Sequence, residues 1–145
     1  MVSQLRLAIV GVAVLALAAC TGSSPDESHA PADRAVQATL NDDMSIELSE
    51  TEFAAGETVV FEVSNAGSVA HELYLGDEAA QAAHAEEMAE MDGMGHDEPG
   101  GVSVEPGATK TLEYTFSEPG EMLAGCHEPG HYEAGMVASL TVVDE

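Results

Sequence analysis

From Val36 onward the chain places apolar residues at every second position in short runs. Val36, Ala38 and Leu40 form one such run, Met44, Ile46 and Leu48 another, and Val59, Phe61 and Val63 a third. A period of two marks a strand with one buried face. The runs are separated by Asn41-Asp42, Ala55-Gly56 and Asn65-Ala66-Gly67, where Asn and Gly tolerate the backbone angles of a tight reversal. Val69 to Leu75 follows as a further strand. After an interruption the pattern resumes at Val102 and Val104, at Leu112, Tyr114 and Phe116, and at Leu140 and Val142. About eight short strands of this kind predict an all-β, Greek-key β-sandwich rather than a helical or βαβ architecture. No internal repeat is visible.

The interruption, Asp77 to Asp92, is rich in Ala, Glu, Gln and Met and holds no Gly, Pro or β-branched residue. Its composition predicts one short helical insertion around 77–92, with Asp77 placed to cap its start and Gly93, Gly95 and Pro99 to Gly101 to end it.

The first residues are of another kind. Arg6 precedes the apolar run Leu7 to Ala19, and small residues lead to Cys20. These are the parts of a secretory signal, and the run is shorter than the ~20 residues a helix needs to span a bilayer. Leu17-Ala18-Ala19-Cys20 also resembles the lipobox of bacterial lipoproteins, in which the cysteine is acylated; the alternative is an ordinary signal cut at a similar site. Thr21 to Ala35 is rich in Ser, Pro, Asp and Ala without apolar period, as in a flexible tether. The expected organisation is a signal peptide over 1–19, a lipidated tether over 20–35 with Cys20 as the lipidation site, and one domain over 36–145. Such a protein is exported and anchored to the membrane on the periplasmic or extracellular face.

Charge and cysteine content narrow the function classes. With 27 acidic residues against 3 basic ones, the net charge is −24, which excludes nucleic acid as a partner. The bland reading of this surface is solubility, and the charge singles out no site. There are 2 cysteines. If Cys20 is consumed by lipid, Cys126 is the one thiol of the mature chain and no intrachain disulfide can form.

Cys126 opens Cys126-His127-Glu128-Pro129-Gly130-His131-Tyr132-Glu133-Ala134-Gly135-Met136, a C-x4-H-x4-M pattern. Pro129, Gly130 and Gly135 make this a tight loop, so thiolate, imidazole and thioether can converge on one point. Soft sulfur with imidazole suits copper, and two His, one Cys and a weak axial Met form the blue-copper arrangement. The second histidine has to come from elsewhere, and His71, at the start of a strand just after a turn, is the best placed. Zinc is the nearer competitor, but a Met ligand argues for copper. The alternative for all four is an ordinary buried Cys, a packed Met and two surface histidines.

With these residues in place, the segment from Val36 to Glu145 resembles bacterial cupredoxins of the plastocyanin and azurin class, its loop spacing being most like that of rusticyanin. The resemblance implies one type 1 copper per chain, held by His71, Cys126, His131 and Met136, with His131 near the surface. It departs at Glu72, where cupredoxins often carry an Asn that helps fix the two ligand loops together. Oxidases of the multicopper kind are not matched, since no His-x-His is present, and no enzymatic activity is expected. His127, directly after the thiolate, should point away from the metal, and reads first as a surface residue and second as part of an electron exit or an extra metal contact.

His84, Met88 and Met91 fall at i, i+4 and i+7 on the predicted helix, and Met94 and His96 follow. Thioethers and imidazoles suit extra Cu(I), so this is either an auxiliary copper site or a face that packs onto the sheet. Two functions follow from the resemblance. The first is one-electron transfer to a redox partner protein. The alternative is copper tolerance or delivery together with copper-handling proteins, as in copper-resistance cupredoxins, using the Met/His-rich insertion. A monomer is expected in either case.

Overall fold

A computed structural model describes residues 34–91 and 97–144. Within them lie nine strands and one helix: β1 (Arg34–Leu40), β2 (Ile46–Leu48), β3 (Glu52–Ala54), β4 (Thr58–Asn65), β5 (His71–Gly76), α1 (Glu78–Glu90), β6 (Gly101–Val104), β7 (Thr109–Thr115), β8 (Gly120–Gly125) and β9 (Val137–Val143). The signal, Cys20 and most of the tether fall outside the described residues, as do Met94 and His96. The first strand takes in Arg34 and Ala35, at the end of the expected tether.

Two sheets face each other, one in the order β2-β1-β4-β7 and the other β3-β9-β8-β5-β6. The period-two residues decide which face is buried. Val36, Ala38 and Leu40 from β1 and Val59, Phe61 and Val63 from β4 pack against Leu73, Leu75, Val102, Val104, Leu140 and Val142 of the other sheet. β1 runs parallel to β4 with Val36 beside Phe61, which puts both apolar sets on one side of their sheet. Phe53 and Phe116 stack at 4.3 Å to close one end of this core.

Strands β3 and β8 have no counterpart in the apolar periodicity. The first is three residues long, and the second, Gly-Glu-Met-Leu-Ala-Gly, lacks both alternation and β-branched residues. They are strands because tertiary pairing makes them so: β8 lies between β5 and β9, antiparallel to both. Met44 is not part of β2 but sits in the preceding turn with φ +66°.

The β5–β8 pairing positions the chemistry. Tyr74 of β5 stands opposite Gly125 of β8, so the start of β5 and the exit of β8 meet at the same end of the sandwich. His71 is the first residue of one and Cys126 the first beyond the other. Helix α1 leaves β5 at Gly76, where an added Cβ would come within 2.7 Å of the Ala80 Cβ. The Asp77 side chain accepts from the Ala80 N–H and caps the helix. Gln81, His84 and Met88 are its buried residues, all turned toward that same end.

Candidate metal centre

The ends of β5 and β8 bring three of the four candidate ligands together. The Nδ1 atoms of His71 and His131 lie 3.2 Å apart. The Cys126 Sγ is 3.4 Å from His131 Nδ1 and 4.0 Å from His71 Nδ1. Bonds of about 2.0–2.3 Å at angles of roughly 100–120° imply edges of roughly 3.1–4 Å, so the separations suit a near-trigonal set of two nitrogens and one sulfur. His71 and Cys126 are fully buried and His131 is half-buried. His131 alone among the three thus reaches the surface.

Met136 is fully buried and is joined to the other two loop residues through its backbone. Its N–H donates to the His131 carbonyl at 3.0 Å, and its carbonyl accepts from the Cys126 N–H at 3.1 Å. These bonds fold the loop back on itself, a turn that Gly135 permits by standing at φ +101°.

Each donor is held from behind. His71 donates from Nε2 to Asp42 Oδ1 at 3.1 Å, which leaves the Nδ1 lone pair facing the thiol. Asp42, from the β1–β2 turn, also accepts from the side chain and backbone of Ser68, and these bonds, with a lesser one from His71, lower its pKa to about 2. Gly67 makes room: a Cβ there would fall 2.0 Å from Asp42 Oδ1 and 3.0 Å from His71 Nε2. Asn65 sets the turn between them, donating to the carbonyls of Val69 and Val104 at 2.8 Å each.

Burial pushes the Cys126 thiol up to about 11, although the Glu72 N–H donates to the sulfur at 3.3 Å and lowers it somewhat. Burial, with the neighbouring His71, lowers the pKa of His131. Both shifts favour neutral donors before metal arrives. With two imidazoles and one thiol converging in a buried pocket, and no other cysteine among the described residues, the donor set fits copper.

Glu72, which stands where an Asn was expected, is itself fully buried. Its carboxylate accepts from the His127 N–H at 3.3 Å, so it ties the β5 end to the Cys126 loop as that Asn would. His127 points away from the cluster as expected, but it is not a surface residue. Its ring is 7% exposed, donates from Nε2 to Gln81 Oε1 at 2.7 Å and stacks on Tyr132 at 4.5 Å. The reason is α1, which covers it. Burial, and secondly the nearby His84, lower the His127 pKa to about 4.

The stripe on α1 also turns inward. His84 and Met88 are each 2% exposed, in the position that packing onto the sheet requires, while Met91 is half-buried at the helix end. The His84 ring faces Glu72 and Glu98, with Nε2 3.0 Å from the former and Nδ1 2.7 Å from the latter. Glu87 brings a further carboxylate near, the ligand atoms of His84, Glu87 and Glu98 all lying within 4.8 Å of one another. Asp42, Gln81 and the carboxylate role of Glu72 had no sequence signal, because each acts across the fold on a residue remote in the chain.

The sandwich, the donor set and the family pattern agree, and the chain belongs to the plastocyanin/azurin family of copper binding proteins, whose pattern matches residues 32–143. It is a copper-binding protein of cupredoxin fold.

Its relatives are more particular. The copper-resistant cuproprotein CopI of Rubrivivax gelatinosus is 39% identical over 113 residues, covering 78% of this chain and 68% of that protein. The CopI of Pseudomonas aeruginosa is 36% identical over an alignment of 142 residues, covering 78% of each. Among solved structures, dithionite-reduced auracyanin from the photosynthetic bacterium Roseiflexus castenholzii shares the fold, with a TM-score of 0.58 at 21% identity over 76% of this chain and 95% of that one.

Proposed function

We propose that this is a mononuclear type 1 copper protein that exchanges single electrons outside the cytoplasm in the service of copper tolerance. The observation that carries the copper centre is the convergence of His71, Cys126 and His131 in a buried pocket. Copper held there supplies one-electron redox chemistry, and a ligand set of two imidazoles, a thiolate and the Met136 thioether suits both of its common oxidation states. The residues do the rest. Asp42 and Glu72 hold the donors in place, the core keeps water from Cys126, and half-buried His131 is where a redox or copper-handling partner can approach.

Copper tolerance is favoured over simple electron carriage by the named role of relatives 36–39% identical to this chain. No substrate pocket or catalytic acid and base is required for this role. Export follows from the leader, and anchoring from acylation of Cys20. Among the described residues no helix is long and apolar enough to cross a membrane.

Two measurements test the reading. The copper-loaded protein should show an intense thiolate-to-copper absorption band that is absent in Cys126→Ser. Cells lacking the protein should regain copper tolerance with the wild-type chain and not with Cys126→Ser. A colourless loaded protein sinks the copper centre, and equal rescue by the variant sinks the tolerance role. Cys20→Ser should move the protein from the membrane fraction to the soluble one.

A further inference from the structure

The helical insertion, read from the sequence as either a copper stripe or a packing face, puts one imidazole behind the candidate ligands. His84 is buried in α1 and stands against Glu72, its Nε2 lying 3.1 Å and 3.0 Å from the two carboxylate oxygens. The Glu72 oxygen nearer the loop also accepts from the His127 N–H, and the Glu72 backbone N–H donates to the Cys126 sulfur. Glu72 is thus bonded to the sulfur, to the residue after the sulfur and to the insertion at once.

A carboxylate sealed from water needs a partner of opposite charge or several donors, otherwise its burial is strongly unfavourable. His84 places one ring nitrogen against each of two acidic side chains, Nε2 against Glu72 and Nδ1 2.7 Å from Glu98 Oε1. The ring is also fixed in plane, stacked on Tyr74 at 3.9 Å with an interplanar angle of 4°, and its edge meets the His127 ring at 5.1 Å. The Glu72 carboxylate is therefore held by α1 together with the Cys126 loop.

We propose that Glu72 and His84 act as a buried hydrogen-bonded pair of positioning residues, through which the helical insertion sets the orientation of the Cys126 loop around the copper. This rests on the copper reading above. It assigns to His84 a role that neither copper binding by the stripe nor simple packing contains. Replacing either partner loosens the same contact.

The test compares Glu72→Gln, His84→Gln and the double variant, whose side chains remain polar and close in size to the originals. Loaded with copper, each single variant should have a reduction potential different from the wild type, and the double variant should change by less than the two single changes together, because both act through one contact. The relative intensities of the thiolate-to-copper bands should change in both single variants.

In the copper-free protein, His84→Gln should speed hydrogen exchange of the His127 backbone amide by at least about tenfold, while amides of β4 exchange as before. Changes in potential that simply add in the double variant, or bands and His127 exchange equal to the wild type, overturn the proposal. A wild-type protein with no thiolate-to-copper band sinks the copper reading instead. The copper-free exchange result then decides by itself whether the pair positions the loop.

Discussion

His71 owes its orientation to a residue outside the ligand group. Because Asp42 accepts its Nε2–H, the ring presents Nδ1 inward without having to rotate when metal arrives. Asp42→Ala should weaken copper binding about 10- to 100-fold, the usual consequence of losing such an outer partner, as measured by competition with a chromophoric chelator. The melting temperature of the copper-free domain should fall as well, because buried His71 and Ser68 lose the acceptor they share. Asp42 was not legible as a functional residue, since Asn41-Asp42 is already explained as turn chemistry and its partner lies 29 positions away. Cys126 and His131 were legible because a single loop sets a thiol and an imidazole five residues apart.

The Cys126 thiol has a pH consequence of its own. Burial raises its pKa to about 11, so the copper-free folded chain keeps the proton after the unfolded chain has begun to release it. The resulting stability is fully present below the ordinary thiol value of 9.0 and is lost as pH rises through about 11. Chemical denaturation of the copper-free protein across that window should show a decline that is smaller in Cys126→Ser. Copper uptake at neutral pH should likewise release a proton, detectable in weakly buffered solution.

Among the elements, the alternating strands were legible from apolar spacing and α1 from composition and its Asp77 cap. Strand β8 was not, because only its neighbours β5 and β9 hold it extended. The burial of His127 was hidden for a related reason. A side chain that points away from the ligands is exposed only if nothing covers it, and here α1 does, with Gln81 bridging from the helix to the carbonyls of Tyr74 and Leu123.

Gly125 makes this interface possible. A Cβ there would stand 2.5 Å from Gln81 Oε1 and 2.8 Å from Tyr132 Cε2. Gly125→Ala should therefore destabilise the domain by about 1–3 kcal/mol, the usual range for overpacking. Urea unfolding should show a lower midpoint with an unchanged slope.

Across the whole molecule, repulsion between like charges dominates the surface. The net charge is −24, and the two basic residues of the described segments are both engaged, Arg34 with Glu50 and Glu57 and Lys110 with Asp97. Such a fold should gain stability as salt screens its acidic side chains. Raising ionic strength from about 0.01 M to 0.1 M shortens the screening length from about 30 Å to about 10 Å. The melting temperature should rise over that interval, and calorimetry would detect it; a flat or falling profile would count against a repulsive surface.

The 55-residue separation of His71 and Cys126 has a consequence for how metal is kept. Under the proposed assignment no local peptide carries the complete grip, so an ion bound by both ends is a clasp across a long loop of polypeptide. When the sandwich opens, the clasp loses His71 in the same event, and the denatured chain keeps only the donors of the Cys126 loop. Loss of colour during unfolding would then trace the parting of β5 from β8, making the metal its own indicator of an intact fold.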